Sequence, residues 1–152
     1  MAQTETPVFP RRAYVAGGLS AILAAGALSL SMLGGLSSVA ADTFQFSRGV
    51  AFAAGEEGRL KGIFAQALPD ERVHVTILAH SGSAGDEAAN LALSEDRAAL
   101  AAQMAIDLGI PADRITAQGV GGASPLQKQD GEAERTYQSR LARVDVSLQM
   151  RR

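Results

Sequence analysis

Residues 73–98 read VHVTILAHSGSAGDEAANLALSEDRA, and their pattern decides the fold. Val73, Val75 and Ile77 alternate with His74 and Thr76, the period of a strand with one buried face. Ser81 to Ala89 is rich in glycine and small residues, which predicts a loop. From about Ala89 to Leu108 the apolar residues fall at helical spacing, with Gly109 as the C-terminal stop and Pro111 just beyond. This is one strand–loop–helix unit, and the flanking sequence extends it on both sides.

Upstream, Thr43 to Phe46 reads as a short strand with Phe44 and Phe46 on one face. Leu60, Ile63, Phe64 and Ala67 follow the i, i+3, i+4, i+7 spacing of an amphipathic helix that stops before Pro69. Downstream, Ile115 to Val120 is the next strand, Gly121 to Gly131 a loop and Glu132 to Leu141 a short helix. Val144, Val146, Leu148 and Met150 alternate through a last strand. The order is βαβαβαβ, which predicts an α+β two-layer sandwich. Residues 42–152, 111 in number, suffice for one such domain.

One residue breaks the pattern. Leu93, Arg97, Leu100, Met104 and Leu108 are spaced four, three, four and four, so Arg97 lies on the helix's apolar face. A guanidinium there needs a partner or a way out to water. Two readings stand: a structural pairing with a carboxylate or with loop carbonyls, or a ligand clamp beside the 81–89 loop.

Ahead of the domain, Ala13 to Ala41 is a run of 29 residues without a charge, preceded by Arg11 and Arg12 and followed by Asp42. About 20 helical residues cross a bilayer, so the run is long enough to span. The small-residue end at Ser38-Val39-Ala40-Ala41 would also suit cleavage of a secretory signal, and Arg11-Arg12 faintly resembles a twin-arginine export signal. The apolar middle nevertheless exceeds the roughly 7 to 15 residues usual for a signal, which favours a retained anchor.

Eighteen of the 29 residues are Ala, Gly or Ser. Gly17, Ala21, Ala25 and Ser29 recur every four residues, a spacing that lets helix backbones approach closely in lipid. The arginines place the N-terminus in the cytoplasm. The expected organisation is therefore a cytoplasmic tail at 1–12, a transmembrane anchor or signal at 13–41, and a domain at 42–152 on the far side.

Composition narrows the function classes. Fourteen basic residues against 16 acidic give a net charge of −2, which argues against a nucleic-acid partner. Cysteine is absent, which removes disulfides, zinc-thiolate sites, thiol nucleophiles and lipidated cysteine. His74 and His80 are six apart along one predicted strand, about 20 Å, too far to share a metal. No cofactor is implied. Gly119-Val120-Gly121-Gly122 lacks the third glycine of a phosphate loop, Ser124 standing there. His80-Ser81 lacks a nucleophile elbow. No catalytic constellation emerges, and a non-enzymatic role is expected.

The stretch Ala79-His80-Ser81-Gly82-Ser83-Ala84-Gly85, then Asn90, Leu93-Ser94 and Arg97-Ala98, resembles without gaps the signature of the OmpA/MotB C-terminal domain, usually worded G-H-T-D-x-x-G, N, L-S and R-A. Gly109-Ile110, Arg114-Ile115, Gly119-Val120-Gly121 with Pro125, and Arg143-Val144-Asp145-Val146 match later landmarks in order, and Phe44-Gln45-Phe46 fits the opening strand. The resemblance spans residues 42–152. It implies an OmpA-like βαβαβαβ fold and non-covalent peptidoglycan binding in the bacterial envelope.

In that family, a loop Asp meets the ammonium at the free end of the wall peptide's diaminopimelate and a helix Arg meets its carboxylate. The Arg position corresponds to Arg97. The Asp position corresponds to Gly82, so this chain has lost the counter-charge. Where the family has Asn-Arg-Arg before its last strand, this chain has Leu141-Ala142-Arg143. Losing one charged hydrogen bond costs roughly 1.5 to 3 kcal/mol, or one to two decades in affinity. Asp86 or Glu87 would have to replace the lost acid. The ligand residues implied by the resemblance are Arg97, Gly82, His80, Ser81, Asp86, Asn90 and Arg143.

If the anchor is retained, about four residues separate its end near Val39 from Thr43, a span of at most about 14 Å. That reach suits contact with an integral-membrane neighbour better than contact with the wall. The expected function is an accessory interaction subunit of an inner-membrane assembly with a degenerate peptidoglycan site. The alternative is a working peptidoglycan anchor, tethered or released to the periplasm.

Overall fold

The computed structural model describes residues 41–151. The small-residue stripe at Gly17, Ala21, Ala25 and Ser29 and the expected span lie outside the described residues, all but its last residue, Ala41. Among the described residues, no helix is long and apolar enough to cross a membrane.

The elements are β1 (Asp42–Arg48), β2 (Ala51–Phe52), α1 (Glu56–Ala67), β3 (Val73–Ala79), α2 (Glu87–Asp107), a single 3-10 turn (Ala112–Arg114), β4 (Ile115–Gly119), α3 (Glu134–Leu141) and β5 (Arg143–Met150). They form one five-stranded sheet in the order β2-β1-β5-β3-β4. Only β3 and β4 are parallel, joined by the crossover helix α2; every other pairing is antiparallel.

The alternations seen in the sequence become the core. Phe44 and Phe46 from β1, Val75 and Ile77 from β3, and Val144 and Val146 from β5 pack with Leu60, Phe64 and Ala67 of α1. On α2 the buried positions are mostly alanines, Ala98, Ala101, Ala102 and Ala105, so this helix sits close to the sheet while Leu100 and Met104 stay partly buried at its flank. The other sheet face carries Thr43, Thr76, Leu78, Arg143, Asp145 and Ser147, which line an open hollow of about 440 Å3 with Ala41 and Leu126.

Several boundaries differ from the sequence expectation, each for a local reason. α2 starts at Glu87 because Asp86 caps it, its Oδ1 accepting from the Ala89 amide at 2.7 Å. α3 starts at Glu134 because Glu132 is held in the preceding turn, its carboxylate accepting from the Gln129 amide and from Arg140. β2 was not expected. A two-residue strand leaves no periodicity to read, and it forms because Gly49, at φ 55°, turns β1 back so that Phe52 stacks on Phe46 with ring centroids 4.5 Å apart.

At the end of the sheet where β3 starts, a buried arginine replaces missing regular hydrogen bonding. Arg114 is only 7% exposed and donates to three backbone carbonyls, Val73 at 2.9 Å, Ala67 at 2.5 Å and Asp70 at 2.9 Å. It ties the end of α1, the α1–β3 turn and the start of β3 to the turn before β4. Arg114→Met keeps the apolar stem and leaves these carbonyls without their donor. Chemical denaturation of this variant should show a loss of about 3 kcal/mol, and an unchanged midpoint would contradict the assigned role.

Candidate functional site

The residues implied as ligand-binding gather at the opposite end of the sheet, where β3, β4 and the β1–β2 turn finish. The loop from His80 to Gly85 runs from β3 to the cap of α2. His80 donates its amide to the Arg143 carbonyl at 2.8 Å, and Ser81 donates to the Gly121 carbonyl at 3.0 Å. Asn90 donates from Nδ2 to the Ala84 carbonyl at 2.9 Å, closing the loop onto α2. Asp86 and Asn90 thus hold the loop's shape, and the Asp86 carboxylate is engaged at the helix start.

Arg97 is 3% exposed. Its Nε donates to the Gly49 carbonyl at 2.8 Å and its Nη1 to the His80 carbonyl at 2.7 Å, while the guanidinium carbon lies 4.6 Å from the centroid of Phe46. Burial pushes its pKa down from the ordinary arginine value. No carboxylate of the described residues pairs with it. Of the two readings open in the sequence, the carbonyl pairing is what the geometry displays, and Nη2 alone donates to no described residue.

Gly82 has ordinary backbone geometry, and its surroundings explain what fills the missing side chain's place. A Cβ built there would lie 2.7 Å from Oε1 of Gln138, which reaches over from α3. Gln138 accepts from the Ser83 amide at 3.1 Å and donates to Ser83 Oγ at 3.2 Å and to Glu134 Oε1 at 2.7 Å. Glu134 in turn pairs with Lys128 at 2.7 Å. Sequence reading missed Gln138. It lies 56 positions from Gly82 on a polar helix, and the i, i+4 relation to Glu134 was the only local sign that its amide would be held.

Behind the loop sits a half-buried polar cluster. Asp145 accepts from Thr43 Oγ1 at 2.7 Å and from Arg143 Nε at 3.2 Å. His80 Nε2 lies 3.1 Å from Asp145 Oδ2, and both buried ring nitrogens of His80 lack a directed hydrogen bond among the described residues. Burial pushes the Asp145 carboxyl up. The contacts with His80 and Thr43 and the Arg143 charge outweigh it and hold the group below the ordinary carboxylate value. Arg143 is 6% exposed, reaches the Ser124 carbonyl at 3.3 Å through Nη2, and has its buried Nη1 without a partner among the described residues. Ser81 Oγ donates to the Gly82 carbonyl at 3.2 Å, and His80 faces Asp145, so the two make no nucleophile–base pair. No three potential metal ligands converge among the described residues.

The glycines that close β4 and follow it are a packing device. A Cβ on Gly119 would collide with the backbone of Ser94 and Glu95, and one on Gly122 would lie 2.8 Å from the Gly82 carbonyl oxygen and 2.9 Å from Ser83 Cα. Buried Ser94 seals the approach, donating to Leu91 O and accepting from the Gly121 amide, both at 2.7 Å.

A family model described as the OmpA family matches residues 56–139, more than half of the chain. The chain belongs to the OmpA family. Among solved structures it is similar to the peptidoglycan-associated lipoprotein from Burkholderia pseudomallei, at 18% identity over 73% of this chain and 91% of that one, with a TM-score of 0.61. It is also similar to a MotB-like protein from Desulfovibrio vulgaris, at 21% identity over 76% and 82% with a TM-score of 0.59. The periplasmic domain of Helicobacter pylori MotB matches at 12% identity over 77% and 82%, with a TM-score of 0.58. At these identities the likeness establishes the fold. No curated protein matches.

The packing role of the glycines is checked by a pair of substitutions. Gly122→Ala should cost about 1 to 3 kcal/mol because its neighbours are backbone atoms. Gly58→Ala, inside α1 with nothing within 4 Å, should stabilise by about 0.5 to 1 kcal/mol. Equal effects in thermal denaturation would refute the distinction.

Proposed function

We propose that the protein is a non-enzymatic, single-span envelope protein that serves as an accessory interaction subunit of an inner-membrane assembly, with an OmpA-like domain on the periplasmic side whose peptidoglycan site is degenerate. One observation carries the reading: the buried guanidinium of Arg97 is engaged by two backbone carbonyls and faces no acid, while the position of the family's loop acid is Gly82. A zwitterionic ligand end would meet one free arginine nitrogen and no counter-charge for its ammonium. Asp86 does not make up the deficit, because its carboxylate caps α2. The membrane-side half of the reading rests on the uncharged run at 13–41 and its four-residue stripe of small side chains, which suits packing on a helix of an integral-membrane partner.

A working wall anchor is the second reading. It is favoured by the retained Arg97 and by the similarity to a peptidoglycan-associated lipoprotein. Co-sedimentation of the full-length protein with purified sacculi separates the two. The expected result is weak retention by the wild type, raised about one to two decades by Gly82→Asp, which requires only that the Gln138 side chain swing away. Tight wild-type retention abolished by Arg97→Ala would establish the anchor instead. Intact mass of the natively purified protein completes the test: a chain beginning at Ala41 or Asp42 would overturn the single-span assignment.

A further inference from the structure

Gln138 does more than fill space. Its Oε1 lies 2.7 Å from the point a Cβ on residue 82 would occupy, close to the reach of an aspartate's own carboxylate oxygens from its Cβ. The orientation of the amide is fixed by its partners. The Ser83 N–H can only donate, so it must face Oε1, and the Glu134 carboxylate accepts from Nε2. One lone pair of Oε1 is used by Ser83 and the second remains. An acceptor oxygen therefore stands beside the loop where relatives carry an acid, supplied from α3 and without a charge.

The nearest negative charge is one step further back. Glu134 holds the Gln138 Nε2, but its other oxygen is answered by Lys128 at 2.7 Å. The Lys128 and Gln138 contacts hold the Glu134 carboxyl below its ordinary pKa, so it is ionised and paired. An ammonium loses more hydration than a hydroxyl on entering the site, and a neutral amide oxygen lacks the opposite charge that would offset that cost, so it gives an ammonium little net preference over a hydroxyl or amide donor.

We propose that Gln138 is the specificity-determining residue of this site, replacing the loop acid by a neutral acceptor, so that the site takes a ligand end bearing an uncharged hydrogen-bond donor and gains nothing from an ammonium. The inference rests on the reading of a degenerate peptidoglycan site and names what remains of it.

The test titrates the full-length protein in detergent micelles, followed by NMR, with two probes: a wall peptide bearing diaminopimelate, and the same peptide with its free-end amine exchanged for a hydroxyl. Wild type should bind the two within about threefold of each other. Gln138→Glu combined with Glu134→Gln, which avoids two adjacent carboxylates, should favour the amine peptide about tenfold or more, with the preference shrinking as salt rises. A melting curve confirms that the variant folds, and its amine preference is the deciding quantity. A wild-type preference of tenfold for the amine, or no gain in the folded double variant, overturns the proposal. Gly82→Asp, which displaces Gln138 and restores the loop acid, should prefer the amine peptide as well; if it does while the folded double variant does not, Gln138 is only a filler, and the degenerate-site reading survives. Tight binding of wild type to sacculi would remove that reading itself.

Discussion

The buried guanidinium of Arg97 at the sheet's loop end organises this domain. Arg97 projects from the apolar face of α2 into a space closed by Phe46, and a guanidinium so placed must have acceptors. The chain provides two backbone carbonyls, one from the β1–β2 turn at Gly49 and one from the end of β3 at His80. The same bonds that offset the burial cost fasten the hairpin and the 80–85 loop to the helix. Arg97 is thereby a structural rivet, and an arginine bound to two carbonyls has fewer donors left for any ligand.

The rest of the loop end follows from close packing. The glycines that close β4 and follow it let Ser94, Gly82 and Ser83 approach backbone to backbone. Asp86 and Asn90 spend their side chains on the cap and on the loop carbonyl. The loop is thereby pinned, and the residue that faces the vacant side-chain position at Gly82 comes from α3. At the other end of the sheet Arg114 repeats the same solution, a guanidinium gathering carbonyls where regular pairing stops. Both arginines show a buried guanidinium satisfied by backbone carbonyls rather than by a carboxylate.

Much of this architecture is written in local pattern. The alternation at Val73 to Ile77 and at Val144 to Leu148, and the helical spacing of Leu60 to Ala67, are period signals strong enough to place β3, β5 and α1 within a few residues. The family landmarks then located Arg97, Gly82 and the loop. What could not be read was anything set by contacts across the chain. β2 is too short to show a period. The competition between carbonyls and a carboxylate for Arg97 is decided by where Gly49 comes to rest, 48 positions away. Gln138 is legible only once α3 is docked beside the loop. The run at 13–41 stays a sequence expectation, outside the described residues but for Ala41.

The Nε–H signal of Arg97 reports on the central interaction directly, because it is the proton held by the Gly49 carbonyl. In 15N NMR of the full-length protein it should exchange slowly with water and stay in place as a diaminopimelate-bearing wall peptide is added to millimolar concentration. A signal that exchanges rapidly in the free protein, or that shifts and saturates at micromolar peptide, would show an arginine free to clamp a ligand and would contradict this account.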